Sequence, residues 1–145
     1  MEDTELLSEW AARAGMLLRL HASDTQVVHG WAGMEIGYEV RRDGTGYLVV
    51  KTDRGNASTR GRFDNLSDAD AYVLMCLGSI WRADHGLGDI LPAGAAEGLR
   101  PKHDAFGWSV GVAGRRAVFT HESDADRYTH VAGKGLCNVA ALMQA

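Results

Sequence analysis

Cysteine is scarce in this chain, with only two residues among 145. Cys76 and Cys137 lie in separate apolar runs and form no Cys-x-x-Cys spacing, which argues against a disulfide framework and against a zinc site built on cysteine pairs. We expect both to be reduced thiols in the core of a cytoplasmic protein.

Targeting segments and a basic excess are also missing. The first ten residues, MEDTELLSEW, are acidic, whereas a secretory signal begins with basic residues and continues with an apolar stretch. No apolar run approaches the roughly 18 residues that cross a bilayer. The chain has 19 acidic against 15 basic residues, a net charge of −4, which argues against nucleic acid as the main partner. We therefore expect a protein that contacts neither nucleic acid nor a membrane.

Catalytic motifs are absent as well. No Gly-x-Ser-x-Gly occurs, no Gly-x-Gly-x-x-Gly stands between a strand and a helix, and the six histidines include no His-x-x-x-His pair. Neither cysteine has an activating neighbour in the sequence. We predict no catalytic residues, no metal ligands and no cofactor, and hence a protein that is not an enzyme.

The patterns that are present predict a single α+β domain over residues 1–145, with an antiparallel β-sheet packed against helices. Apolar residues make up 46% of the chain, enough for a substantial core. The predicted elements are a helix at 5–14 capped by Asp3 or Thr4 and ended by Gly15, strands at 16–21, 26–31, 35–40 and 46–52, a loop at 53–66 with one short strand near 60–63, a buried helix at 67–84, an irregular crossing at 86–104, a hairpin around 113–115, and C-terminal helices interrupted by Gly133 and Gly135.

The tetrapeptide Ser-Asp-Ala-Asp occurs twice, at 67–70 and at 123–126. Paired carboxylates can bind a hard cation, but neither copy has further ligands or the spacing of a calcium loop. Both copies stand where a helix is predicted to begin, so we interpret Ser67 and Ser123 as N-caps, with Asp70 and Asp126 reaching back to the cap amides. Whether the repeat reflects a duplication remains open.

Arginines cluster near predicted turns, and arginine and tryptophan are the residues that protein interfaces favour as anchors. Solvated turn charges and buried tryptophans are the simpler explanation for any one of them. As a set they favour a binding module over an active site. The candidates are Trp31, Arg41, Arg42, Arg54, Arg60, Arg62, Arg115 and Arg116.

A series of short matches to a known family runs along most of the chain. They are Trp10 followed by Gly15-Met16 in EWAARAGM, Trp31, the strand of Tyr38, Gly46-Tyr47, Asp53-Arg54, the apolar helix ending in GSIWR, and Ala125-Asp126-Arg127. With these the chain resembles the immunity protein 61 family, the immunity proteins of bacterial polymorphic toxin systems. It departs from the family in a shorter C-terminus and in its own sequence at 53–66, which puts in doubt which toxin would be recognised.

The resemblance implies an antitoxin that binds a cognate protein toxin in a stoichiometric complex and blocks the toxin's active site. In the best-known family pair the toxin is an NAD glycohydrolase. Two other hypotheses stay open: a small-molecule-binding protein or small enzyme that uses the sheet face near His21 and His29, and a chaperone-like adaptor that binds a secreted protein without inhibiting it.

Overall fold

The computed structural model of the protein describes residues 3–19 and 25–145, in which four helices pack on an eight-stranded antiparallel sheet. The predicted α+β class is therefore confirmed. The helices are α1 (Asp3–Arg13), α2 (Leu66–Asp84), α3 (Glu122–Thr129) and α4 (Leu136–Gln144). The strands are β1 (Leu17–Leu18), β2 (Val27–Ala32), β3 (Ile36–Asp43), β4 (Gly46–Asp53), β5 (Asn56–Phe63), β6 (Lys102–Asp104), β7 (Gly107–Val112) and β8 (Arg115–Phe119), in the sheet order β1-β2-β3-β4-β5-β8-β7-β6.

The N-terminal part follows the predicted pattern with small differences. Helix α1 is already helical at Asp3, so Thr4 lies inside it, and Gly15 follows its end with a φ of 83°. Of the strand predicted at 16–21, only Leu17–Leu18 form a strand, β1, in the described part of the chain. Residues 20 and 21 lie outside that part. Strands β2, β3 and β4 agree with the predicted segments, and Gly44, with a φ of 60°, makes the predicted turn between β3 and β4.

The short strand predicted near 60–63 is present, but most of the loop predicted around it at 53–66 is wrong. Residues 56–63 form β5, which pairs with β4 along its length after a two-residue turn at Arg54-Gly55. Both turn residues have positive φ, 52° and 85°, as a type I′ hairpin turn requires. Arginine rarely adopts this conformation, so the sequence does not indicate the turn. Strand β5 begins with four exposed small or polar residues and is buried only at Gly61 and Phe63, so it lacks the usual apolar alternation.

The second predicted hairpin is confirmed as β7 and β8, joined at Ala113-Gly114. Strand β8 pairs with β5 through three residue pairs, which joins the two hairpin systems into one sheet. Strand β6 was not predicted. It falls inside the segment 86–104, whose glycine and proline residues predict irregular structure. The strand has only three residues and pairs with the start of β7.

Helix α2 occupies the centre of the core, as its nearly continuous apolar sequence predicts. Eleven of its 19 residues are buried, and it packs against β3, β4 and β5 as well as α1 and α4. Gly78 allows α4 to approach closely, since a Cβ at this position would lie 2.6 Å from the Met143 side chain. A larger residue at 78 would push the two helices apart.

The predicted capping role of the repeated tetrapeptide is also wrong. Helix α2 begins one residue earlier, at Leu66, so the N-cap is Asn65, whose side chain accepts a hydrogen bond of 2.9 Å from the Asp68 amide. Helix α3 has His121 as N-cap and no side-chain capping bond, so Ser123 caps nothing. The serines lie inside the first turns, and the aspartates of the first copy make tertiary contacts with Arg115 and His29.

The two cysteines differ from each other. Cys76 is packed between Tyr38 and Tyr72, and burial raises the pKa of its thiol to about 11. Cys137 lies exposed in the first turn of α4, so the prediction of a second core thiol is wrong. Val139 and Met143 of α4 face the core instead of Cys137.

Candidate functional site

The helices cover one face of the sheet. Core residues from α1, α2, α3 and α4 belong to one buried cluster with Val40, Val49, Phe63 and Phe119 of the strands. Because side chains alternate between the two faces of a strand, their sequence neighbours point the other way. We call that other side the open face and define it by Glu39, Arg41, Leu48, Val50, Thr59, Arg62, Ser109, Arg116 and Val118.

A row of directly opposed residues crosses six strands on the open face. In order these are Arg41, Leu48, Arg62, Val118, Ser109 and Lys102. Opposed residues in antiparallel strands place their side chains on the same face, so three cationic side chains and two aliphatic ones share this row. Alternation of basic and apolar groups is a composition that suits recognition of another protein.

A cleft of about 420 Å³ lies on the open face where β5 meets β8. It is lined by Thr59, Gly61, Arg62, Asp64, Phe106, Arg116, Val118, Phe119 and Thr120. The Phe106 side chain stands at the turn between β6 and β7 and is 81% exposed. The exposed ring lies beside the partly apolar cleft, so the two together offer a partner an apolar contact.

The two arginines of this cleft are held in place by acidic neighbours. Arg62 donates from Nε to Asp43 Oδ2 at 3.1 Å and from Nη2 to the Asp43 carbonyl at 3.2 Å. Arg116 Nη2 lies 3.3 Å from Asp104 Oδ2, and its backbone amide donates to Asp64 Oδ2 at 2.7 Å. Each guanidinium keeps unused donors while its position is restrained, which lowers the entropic cost of binding a partner.

The structure brings three of the predicted contact residues together on the open face, namely Arg41, Arg62 and Arg116. Arg41 forms an ion pair of 3.1 Å with Glu39 on the same strand. Arg54 occupies the exposed turn between β4 and β5, where it lies 3.7 Å from Glu35. Arg60 sits at a β-bulge, opposite the register shift between Val49 and Val50.

The remaining predicted residues lie elsewhere. Arg42 opposes Tyr47, which packs against the core, so Arg42 belongs to the rim of the helix-covered face. Arg115 is paired with Asp68 of α2, with Nε 2.8 Å from Oδ2. Trp31 is only 1% exposed, and its ring nitrogen donates to Ser8 Oγ at 3.0 Å. A partner cannot reach Trp31 in this conformation, and it takes no part in the contact surface proposed below.

His29 does not lie on an open sheet face either. Its side chain is buried, and Nε2 lies 2.8 Å from Asp70 Oδ1 in α2. Burial raises the pKa of Asp70, while the hydrogen bond and charge of His29 oppose that rise. The pair ties β2 to α2. His21, the other residue of that hypothesis, lies outside the described residues.

Residues 3–19 and 25–145 contain neither a metal-binding cluster nor a membrane-spanning helix. In that part of the chain no three His, Cys, Asp or Glu side chains are grouped so that they could hold a metal ion. Within the same residues no helix combines the length and hydrophobicity that crossing a bilayer requires.

Sequence reasoning missed Phe106, Val118 and Thr120 as lining residues of the cleft. Phe106 follows β6, which was not predicted, so nothing identified it as the residue of a hairpin turn. Val118 and Thr120 face the cleft only because β8 pairs with β5, a contact between segments distant in sequence. Residues 117–119 are all apolar, so the sequence had no alternation to show that Ala117 and Phe119 face inward while Val118 faces outward.

An exposed aromatic, restrained arginines and a sheet face opposite the described helices are features that protein-binding surfaces share. Comparison with known families gives a more specific result. The model of the family Immunity protein 61 matches residues 10–135, so this chain belongs to the Immunity protein 61 family.

A solved structure shares the fold. The protein Rv3902c from M. tuberculosis superposes with a TM-score of 0.68 at 13% sequence identity, and the match covers 96% of this chain and 87% of that chain. At this identity the likeness concerns the fold alone. No curated protein matched the chain.

Proposed function

We propose that this protein is an antitoxin that binds a cognate secreted bacterial toxin and inhibits it. Membership of the Immunity protein 61 family is the observation that carries the proposal. The complex is stoichiometric and covers the toxin's active site, and the antitoxin performs no turnover of its own. It acts in the cytoplasm of the producing cell without nucleic acid or membrane as a partner. The specific toxin class we propose is an NAD glycohydrolase.

The open face supplies the contact surface in this proposal. Phe106 serves as the apolar anchor, since an exposed aromatic side chain offers large area at a low entropic cost. Arg62 and Arg116 flank it and supply charge-assisted hydrogen bonds in a restrained geometry. The helices on the other side hold the sheet rigid, so little ordering is needed on binding.

The peripheral residues extend this surface. Arg41 lies on the same face two strands from Arg62, and the exposed turn at Arg54 marks the end of the β4–β5 hairpin. Rim charges of this kind change association rates and salt dependence more than they change affinity. We therefore assign the larger role to the cleft and a steering role to Arg41, Arg54 and Arg60 on this side, with Arg42 contributing charge from the rim of the helix-covered face.

Co-expression tests the proposed function. The toxin encoded beside this gene is expressed in a host cell with and without this protein, and growth is measured. We expect growth to be restored by the wild-type protein and by the buried-to-buried variant Val40→Ile, but not by an unrelated protein of similar size. Toxicity that persists at full expression of the folded wild-type protein would contradict the proposal.

A further inference from the structure

A second concave site lies at the edge of the sheet, beside the end of β7. It has a volume of about 540 Å³ and is lined by Gly98, Leu99, Arg100, Lys102, Ser109, Gly111, Val112, Ala113, Gly114, Arg115 and Arg116. We call it the β7 notch. It adjoins the open face through Arg116, which also lines the cleft at β5 and β8.

The notch exists because β6 is shorter than β7. Strand β6 pairs with β7 only at residues 107–109, whereas β8 pairs with β7 from Trp108 to Val112. Among the described residues, the segment 110–112 therefore has a strand partner on one side only. A free strand edge of this kind can accept hydrogen bonds from an added extended segment.

The charge of the notch is opposite to that of the whole chain. Four of its eleven lining residues are basic and none is acidic, although the chain carries a net charge of −4. Arg115 and Arg116 are partly engaged with Asp68 and Asp104. The side chains of Arg100 and Lys102 have no ion-pair partner within residues 3–19 and 25–145.

The floor of the notch leaves room for a backbone. A Cβ placed on Gly111 would meet no atom closer than the Arg115 carbonyl oxygen at 3.9 Å, and Gly114 has open space around it. Gly111 also has ordinary strand geometry, since its φ lies outside the left-handed region. A partner segment can therefore lie against this edge without displacing side chains of the antitoxin.

We infer that the β7 notch receives an extended acidic segment of the toxin, whose carboxylates pair with Arg100, Lys102 and Arg116. The inference rests on the proposed function and names the chemistry of one part of the partner. Three basic side chains available to the segment, Arg100, Lys102 and Arg116, in a chain that is acidic as a whole give the charge complementarity. The unpaired edge of β7 gives the backbone of that segment a place to bind.

The test measures binding of a catalytically inactive form of the neighbouring toxin to purified variants by calorimetry. We expect Arg100→Glu and Lys102→Glu each to weaken binding about tenfold, while Arg19→Glu, which makes the same charge change beside β1 at the opposite edge of the sheet, leaves binding unchanged. Gly111→Glu should weaken binding more than Gly111→Lys. Both side chains fill the same space, but only the glutamate repels the carboxylates of an acidic segment.

The outcomes separate this inference from the proposed function. A toxin that fails to bind the wild-type protein overturns the function, and with it the inference. A toxin that binds the wild type, Arg100→Glu and Lys102→Glu equally well overturns the inference and leaves the function standing. Binding of a short RNA oligonucleotide that matches the toxin in affinity and is lost in Lys102→Glu would assign the notch to nucleic acid and overturn the inference too.

Discussion

The two faces of the sheet are built from alternate residues of the same strands but have different chemistry. On the helix-covered face, Val40 and Val49 are fully buried in the core. Glu39 and Arg41, on either side of Val40, form an ion pair on the open face. They line a groove together with Leu48 and Thr59. One face therefore holds the fold together through packing, while over the mixed apolar and charged side chains of the other none of the described helices packs.

This difference leads to a division of roles. Substitutions on the covered face should change the free energy of unfolding, because packed interiors relax little around a void. Substitutions on the open face should leave that free energy nearly unchanged and alter binding of the partner. Each of the following variants tests one side of this division.

Phe63→Ala should give the largest effect on stability. The Phe63 ring is fully buried, with its centroid 5.5 Å from those of Phe119 and Tyr128 and 5.7 Å from that of Tyr72. We expect a loss of about 3–5 kcal/mol in the free energy of unfolding, measured by urea denaturation. A loss below about 1 kcal/mol would show that this face is not the packed interior described above.

Asp70→Ala should cost about 1–3 kcal/mol, because it leaves His29 buried without its partner. The matched control is Asp126→Ala, which changes the same position of the second Ser-Asp-Ala-Asp copy. The Asp126 side chain is only partly buried in a short surface helix, so we expect a change within about 0.5 kcal/mol. Equal losses in thermal denaturation of the two variants would contradict the difference between the copies.

Phe106→Ala should leave stability unchanged and weaken toxin binding by about 2 kcal/mol, or about 30-fold. The ring is 81% exposed, so its removal creates no cavity. Calorimetry with the inactive toxin gives the affinity, and a urea titration of the same sample gives the stability. Leu87→Ala, another exposed apolar residue in the segment after α2, serves as control and should bind as the wild type does. Wild-type affinity in Phe106→Ala would remove this cleft from the interface.

Charge reversal of the arginines in and around β5 should have the smallest effects. We expect about tenfold weaker binding for Arg62→Glu, which lies in the cleft, and smaller losses for Arg60→Glu and Arg54→Glu. Surface plasmon resonance should show the change at Arg54 mainly in the association rate. Circular dichroism should confirm that all three variants keep the fold. Unchanged binding in the three variants would exclude the whole β4–β5 hairpin from the contact.

Local patterns predicted most of the helices and hairpins. The apolar run of α2 and the turns at Gly44 and Gly114 follow from short stretches of sequence, and the structure contains all three. The first half of β5, residues 56–59, was missed because its turn places an arginine at positive φ and its exposed residues show no apolar alternation. Local preference is weak evidence where tertiary pairing decides the strand.

The repeated Ser-Asp-Ala-Asp shows the same limit in the interpretation of a site. The prediction paired the serines and aspartates of each copy with backbone amides of the same helix start. In the structure the aspartates of the first copy instead contact Arg115 and His29, which are distant in sequence. Such partners lie 47 and 41 residues away, so no local pattern contains them. The predicted arginines divide between two faces for the same reason, because only strand register separates Arg41 from Arg42 and Arg115 from Arg116.

The central claim is inhibition by a stoichiometric complex, and a titration of toxin activity tests it most directly. A fixed concentration of the neighbouring toxin, well above the dissociation constant, is mixed with increasing amounts of this protein, and the remaining toxin activity is measured. We predict a linear fall that reaches zero at one antitoxin per toxin. Full toxin activity at a tenfold excess, or complete loss at an amount far below one equivalent, would contradict the account.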